Sequence, residues 1–210
     1  MHDNRQTVAS VDEREALRAD IYRLLARLLL APPDAELLDF LAYLEPDEDG
    51  GEMTAAWQEL TDAARTTSPE AAARAHFELL VGVIQGDITP YASWYLHGTL
   101  MDEPLVALRR DLRRLGIARA EESRDPEDHL GALFEVMALL VEGGTPDQAV
   151  FFHRHLTAWA QRCLADLARV PPPIYAAIGR LGLAFLAQER PHFEAMAEES
   201  PVRMIDPAAG

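Results

Sequence analysis

Apolar residues recur at helical spacing along most of the chain, and no stretch alternates convincingly as a β-strand. In the first periodic stretch, Leu17, Ile21, Leu24 and Leu28 follow one another at gaps that place them on one helix face. Prolines and glycines then divide the pattern into separate helices, because proline favours a helix start and glycine a helix end. The predicted helices cover 10–32, 33–44, 53–65, 68–80, 103–116, 125–143, 145–163 and the stretch that follows 171–173. The pattern predicts an all-α fold, a single globular bundle of about seven to nine helices over residues 1–210.

Two of the predicted helix starts carry recognisable caps. Ser10 followed by Glu13 has the spacing of a capping box, which would open the first helix. Asp125 directly before Pro126 predicts that Asp125 caps the sixth helix, and His129 is not needed for that role.

A polar link at 116–124 separates an N-terminal from a C-terminal group of helices. It is the candidate hinge, at 116–125, between the two groups. We expect one core across it, because each half alone is too small to bury a substantial core of its own.

One long segment, 82–98, does not fit the helical pattern around it. It has glycines at both ends, a proline in the middle and then the aromatic run Tyr91, Trp94 and Tyr95. We expect an irregular segment rather than an ordinary helix, and long irregular segments inside compact domains are commonly functional. Large aromatic side chains with polar edges are enriched in binding sites, but they also anchor loops to a core, and spacing alone does not decide between these roles.

The charge of the chain narrows the choice of partner. Its 19 basic and 35 acidic residues leave a formal net charge of -16, which repels nucleic acids and anionic lipids and attracts basic partners. Acidity that only maintains solubility is the alternative reading. The only basic cluster lies on the fifth predicted helix, where a solvated face paired with local acids is expected, although a structural adaptor using this face is a further alternative. This cluster consists of Arg109, Arg110, Arg113 and Arg114.

The cysteine count and the first residues favour a cytoplasmic protein. Cys163 is the single cysteine and lies on an apolar helix face, where it is expected to be a core residue. The first residues lack the basic and then apolar layout of a secretory signal, and no apolar run is long enough to cross a bilayer. We therefore expect a cytoplasmic location without stable membrane insertion.

Enzyme chemistry finds little support in the sequence. Seven histidines are scattered along the chain, and we expect them to be surface or capping residues rather than metal ligands. His153 and His155 are two residues apart, so a helix would point them in different directions. There is no P-loop, no dinucleotide-binding glycine motif and no nucleophile elbow around Ser93. We predict a non-enzyme without cofactor or metal; a small all-α metal-dependent enzyme that uses histidines and acids is the rival hypothesis.

Two segments together resemble the signatures of a known family. The run 90–95, Pro-Tyr-Ala-Ser-Trp-Tyr, follows Phe-Glu-Leu-Leu-Val-Gly at 77–82 and is similar to the first signature of the TorD/DmsD/NarJ family of redox-enzyme maturation chaperones. The run 125–129, Asp-Pro-Glu-Asp-His, resembles the second signature, in which glutamate is usual at the position of Asp125. Trp94 stands where a small apolar residue is common. The resemblance covers about 16–196, including the all-helical layout.

The resemblance implies a function for the chain. Members of the family bind the precursor of a molybdopterin-containing oxidoreductase, often at its twin-arginine signal peptide, and hold it unexported until the cofactor is inserted. The precursor would thus be the partner, and the chain would be a monomer or a homodimer that exchanges helices through the link. The residues that the resemblance assigns to the peptide site, with Asp128 and then Glu127 as candidates for pairing with a peptide arginine, are Tyr91, Ser93, Trp94, Tyr95, Asp125, Glu127, Asp128 and His129.

Overall fold

A computed structural model describes residues 3–46, 50–82, 86–118 and 125–199, and it confirms the all-α prediction. Ten α-helices lie in these ranges, together with one π-helical turn, Phe77–Val81, that continues the fourth helix. The helices are α1 (Asp3–Leu30), α2 (Ala35–Ala42), α3 (Glu52–Thr66), α4 (Pro69–His76), α5 (Ala92–His97), α6 (Glu103–Leu115), α7 (Leu130–Glu142), α8 (Asp147–His155), α9 (Ala160–Leu167) and α10 (Pro173–Glu199). None of them is long and apolar enough to cross a membrane.

Local capping explains where several helices begin and end. The Asp34 side chain accepts a hydrogen bond from Leu37 N (2.9 Å) at the start of α2, and Ser68 caps α4 ahead of Pro69. Asp102 caps α6, and Gly116 ends this helix with a φ of 70°, a left-handed conformation that favours glycine. Ser68 and Gly116 therefore act as the sequence predicted, whereas the caps formed by Asp34 and Asp102 were not predicted.

Four predicted features differ in the structure. The first helix begins at Asp3 rather than at Ser10, whose side chain lies outside the described residues. The segment predicted to be irregular contains the short helix α5. The predicted helix at 145–163 is two helices, because the chain turns between His155 and Ala160. The sixth helix starts at Leu130, so Asp125 and Pro126 precede it.

The core is formed by helices from both sides of the 116–124 link. α7 packs along α1, and α10 packs against α3, α9 and α8. Gly131 lets α7 approach α1 closely, since a Cβ at this position would lie 2.7 Å from Leu30 Cγ. The buried cluster that results runs through both helix groups, and its largest fully buried side chains include Tyr22, Phe134 and Trp159. Residues 119–124 of the candidate hinge lie outside the described residues.

Candidate functional site

The two predicted signature segments lie side by side and are joined through their backbones. Ala92 N donates to Asp128 O (2.9 Å), and Leu130 N donates to Pro90 O (2.7 Å). This pairing is a single antiparallel bridge at the entrance to α5 and α7. The two segments, which are separate in the sequence, are therefore in direct contact in the fold.

A buried carboxylate fastens the two segments together. Asp128 Oδ2 accepts hydrogen bonds from Ser93 N (2.9 Å) and from Ser93 Oγ (2.5 Å), and both residues are fully buried. The Ser93 hydroxyl also accepts a hydrogen bond from Asp102 N (3.3 Å), which connects the clamp to the start of α6. Asp128 Oδ1 has no hydrogen-bond partner within the described part of the chain. One oxygen of a buried carboxylate is thus satisfied, and the other is buried without a partner.

His129, and not Asp125, caps α7. Its Nδ1 accepts a hydrogen bond from Gly131 N (3.0 Å), whereas Asp125 lies exposed in the chain before the helix. The ring of Tyr91 contacts the imidazole edge to face, with 5.0 Å between ring centroids. Burial, and then the neighbouring His76, lowers the pKa of His129 to about 4. The imidazole is therefore neutral near pH 7, with its proton on Nε2 because Nδ1 is the acceptor.

Tyr95 fastens α5 to α9. Its hydroxyl donates to Asp166 Oδ2 (2.9 Å), and its backbone carbonyl accepts from the Arg162 guanidinium (2.6 Å). Its ring lies 5.6 Å from the Trp159 ring, and burial raises the Tyr95 pKa well above its ordinary value. Tyr95 thus anchors α5 to the rest of the fold, which is one of the two roles expected for the aromatic residues.

A cleft of about 250 Å³ opens beside the Ser93–Asp128 clamp, between α5, α6, α7 and the end of α8. Asp128 is the predicted site residue that lines it. Its other lining residues were not predicted from the sequence, because the fold brings them together from four helices. They include the apolar residues Leu96, Ala107, Leu108 and Leu133 and the polar residues His97, Glu103, Arg154 and His155.

The positive charge on one wall of the cleft is already neutralised. His155 Nε2 lies 2.9 Å from Asp111 Oδ2, and Arg154 forms an ion pair with the same oxygen at 3.2 Å. Asp111 and His155 are both buried, and burial lowers the pKa of His155. Arg154 and His155 thus pair with Asp111 and not with Asp128, whose Oδ1 has no hydrogen-bond partner among the described residues.

Exposed apolar side chains follow one another from α5 to the first turn of α6. Trp94 is 37% exposed and Met101 is 71% exposed, and Met101 has a positive φ of 57° that turns the chain between the helices. A surface of this kind marks an interaction site more often than a scattered exposed residue does. Its members are Trp94, Leu96, Leu100, Met101 and Val106.

The remaining predicted residues lie away from the cleft. Asp125, Glu127 and His129 line a separate groove next to α7. Glu127, the second candidate for a peptide arginine, already forms an ion pair with Arg109 of α6 at 2.7 Å. Arg114 pairs with Asp147, so the expectation that the basic face of α6 pairs with local acids is confirmed for these two arginines.

Two histidines differ from the expectation of surface or capping positions. His76 is buried with its Nδ1 3.1 Å from the Tyr175 hydroxyl, and His155 is buried against Asp111. Within the described ranges, no group of three or more His, Cys, Asp or Glu side chains could hold a metal ion. Cys163 is a core residue as predicted, and burial raises the pKa of its thiol to about 12.

Comparison with known proteins identifies the family of the chain. The profile of the family described as nitrate reductase delta subunit matches residues 46–165, which include both signature segments. The Tat proofreading chaperone DmsD of Salmonella typhi is 31% identical over 128 residues, which cover 59% of this chain and 63% of the relative. The chaperone protein TorD of Psychrobacter sp. is 32% identical over 140 residues, which cover 59% and 62% of the two chains. The chain thus matches less than two thirds of the length of these curated relatives.

A solved structure shares the fold. A redox enzyme maturation protein from Archaeoglobus fulgidus superposes with a TM-score of 0.58, covering 81% of this chain and 94% of the other, at 15% sequence identity. The family profile matches more than half of the chain, and the family resemblance read from the two signature segments is confirmed. The chain belongs to the nitrate reductase delta subunit family, in which the relatives that it matches include DmsD and TorD chaperones.

Proposed function

We propose that this protein is a cytoplasmic, non-catalytic chaperone for the precursor of a molybdopterin-containing oxidoreductase. It binds the twin-arginine signal peptide of the precursor and delays export until the cofactor has been inserted. The names of its relatives, a Tat proofreading chaperone and a TorD chaperone, support this role. The observation that carries the proposal is the buried, unpaired carboxylate oxygen of Asp128, a residue that lines a cleft next to an exposed apolar surface.

Asp128 is suited to receive an arginine side chain. A buried carboxylate with one unpaired oxygen is unfavourable on its own, and a cation that reaches it restores a charge-assisted hydrogen bond. Because Ser93 holds Oδ2 through two donors, the carboxylate cannot turn to offer both oxygens to a guanidinium. One arginine nitrogen would therefore bind Oδ1, which is buried without the peptide and would have to become accessible on binding. Glu103, the other carboxylate that lines the cleft, is available for a second contact.

The apolar part of the signal peptide has a complementary surface next to the cleft. Leu96 lines the cleft and is also exposed, and the neighbouring Leu100 and Met101 extend the apolar surface away from Asp128. An apolar helix that follows the paired arginines could lie across these side chains. The formal charge of -16 would draw the basic head of the peptide toward the protein over a longer range.

The test measures the affinity of a synthetic labelled peptide with two adjacent arginines before an apolar stretch. We expect micromolar binding, about -8 kcal/mol, by the wild-type protein and about tenfold weaker binding with less salt dependence by Asp128→Asn. The variant should keep its stability, since asparagine can still accept from Ser93 and no longer buries a charge. Asp20→Asn on α1 removes an equally charged but exposed group and is the matched control.

Two results would contradict the proposal. If Asp128→Asn and Asp20→Asn bind the peptide equally well, Asp128 does not receive the arginine. If a peptide with glutamines in place of both arginines binds as tightly as the original, the protein does not read the twin-arginine head. Isolation of the protein from its native cells with an unexported oxidoreductase precursor would test the broader role in maturation.

For the oligomeric state, we propose a monomer or a homodimer that exchanges helices through 116–125. Such an exchange must separate α7 from α1 and α10 from α3 before the same contacts form between two chains. Size-exclusion chromatography that shows only monomer at every concentration would exclude the exchanged dimer.

A further inference from the structure

A second apolar groove, of about 390 Å³, lies on the other side of the second signature segment from the cleft. It runs between the ends of α1 and α6 and the exposed side of α7. Its apolar lining includes Leu30, Leu112, Ile117, Val136 and Leu139, of which Leu139 is 52% exposed. No helix of the described chain covers Leu139, so this part of α7 presents leucine to the solvent.

The groove is edged by acids. Glu135 of α7 lines it and forms no ion pair with any described residue, and its apolar surroundings raise its pKa. Asp125 and Glu127 lie at its opposite edge, where Glu127 is paired with Arg109. No lysine or arginine is among the described lining residues, and His129 is neutral at pH 7 because burial lowers its pKa to about 4. The groove thus combines an apolar floor with the exposed carboxylate of Glu135.

The groove and the cleft are distinct although adjacent residues line them. Asp128 lines the cleft, whereas its neighbours Glu127 and His129 line the groove. The backbone hydrogen bonds of Ala92 and Leu130 hold this segment in place between the two. A ligand in one is therefore separated from a ligand in the other by the width of a single peptide segment.

We propose that the groove is a second client-binding site, which takes an amphipathic helix of the client with leucine-type residues on one face and lysine or arginine beside them. Its chemistry matches such a segment because apolar side chains meet Val136 and Leu139 while a basic residue meets Glu135. The inference rests on the proposed client-binding function, but it concerns a segment other than the one in the cleft. A second copy of this chain fits less well, since two acidic surfaces would meet.

The experiment uses a labelled synthetic helix with leucines on one face and lysines at both ends, measured by fluorescence anisotropy. We expect Leu139→Lys to weaken its binding about tenfold, because the variant removes an apolar contact and adds a like charge. Val150→Lys is the matched control: Val150 is 55% exposed on α8 and is not among the residues that line the cleft or the groove. Glu135→Gln should weaken binding about threefold and reduce its salt dependence. Both positions are exposed, and circular dichroism and thermal unfolding check that each variant is folded.

The outcomes separate this inference from the proposed function. A twin-arginine peptide should bind Leu139→Lys as it binds wild type, and Asp128→Asn should leave binding of the leucine–lysine helix unchanged. Equal weakening by Leu139→Lys and Val150→Lys would show general attraction to an acidic surface and overturn the inference. Equal weakening of both peptides by Asp128→Asn and by Leu139→Lys would also overturn it, because the peptides would share one site. A dimer that Leu139→Lys abolishes would identify a second copy as the occupant instead.

Discussion

Ser93→Ala tests whether the carboxylate clamp holds the two signature segments together. The substitution removes the hydroxyl donor to Asp128 Oδ2 and the acceptor for Asp102 N, but keeps the backbone hydrogen bond from Ser93 N. Both members of the clamp are fully buried, so water does not replace the lost donor. We therefore expect Ser93→Ala to reduce stability more than a typical surface substitution.

The structure gives the expected size of the effect. A hydrogen bond to a charged group contributes about 1.5–3 kcal/mol, so Ser93→Ala should lower the free energy of unfolding by about 2 kcal/mol. For a chain of this length this corresponds to a Tm that is lower by about 4–8 °C. In the Asp128→Asn background the same substitution should cost only about 1 kcal/mol, because the remaining hydrogen bond is between neutral groups. Urea unfolding of the four proteins in this cycle measures the coupling.

A second buried hydroxyl provides the control. Thr61 is fully buried in α3, and its Oγ1 has no hydrogen-bond partner among the described residues. Thr61→Val removes an unsatisfied polar atom without changing the shape, so it should leave stability unchanged or raise it by about 1 kcal/mol. Two results would show that the clamp does not act as argued: an equal effect of Ser93→Ala and Thr61→Val, or an equal cost of Ser93→Ala in the wild type and in the Asp128→Asn background.

Two further predictions concern the aromatic and histidine residues of the site. Trp94→Ala should weaken binding of the twin-arginine peptide by about 1–3 kcal/mol without loss of helical circular dichroism, and unchanged affinity would remove Trp94 from the site. His129 has a folded pKa of about 4 against an ordinary value of 6.5, so the unfolded chain binds its proton first as the pH falls. Its neutral form supports the fold above about pH 6.5, and up to about 3 kcal/mol of that support is lost between pH 6.5 and 4. His129→Asn keeps a cap acceptor for Gly131 N and should flatten this part of the pH dependence in urea unfolding; an identical profile would contradict the assignment.

Helix ends with a local chemical cause could be read from the sequence, whereas a break produced by a distant side chain could not. The bounds of α6 follow from Asp102, Pro104 and Gly116, all of which act within one turn. The break between α8 and α9 was missed because Phe152, Leu156, Trp159 and Cys163 keep helical spacing across it and are all buried. In the structure, Trp159 Nε1 donates to His155 O (2.7 Å), so an indole takes a carbonyl that would otherwise accept a helical backbone bond.

At the candidate site, too, local motifs could be read from the sequence and contacts between distant residues could not. The two segments were identified from their motifs, and Ser93 and Asp128, which pair in the structure, are both within them. The cap of α7 was assigned to Asp125 because a cap followed by proline is the commoner pattern, and the turn that brings His129 to this position is closed by its N–H donating to Pro126 O. The cleft walls at Arg154 and His155 come from α8, and nothing in their local sequence indicates that they face Asp128.

The short bridge between the signature segments restricts the number of residues in each segment more than it restricts their identity. Two hydrogen bonds fix three residues against three, from Pro90 to Ala92 and from Asp128 to Leu130. An extra residue inside either stretch would move the carboxylate away from Ser93 or the imidazole away from Gly131, because both contacts depend on the same alignment. Insertions should therefore be tolerated in the exposed turn around Gly144, yet a single added residue between Asp128 and Leu130 should disconnect the clamp from the cap.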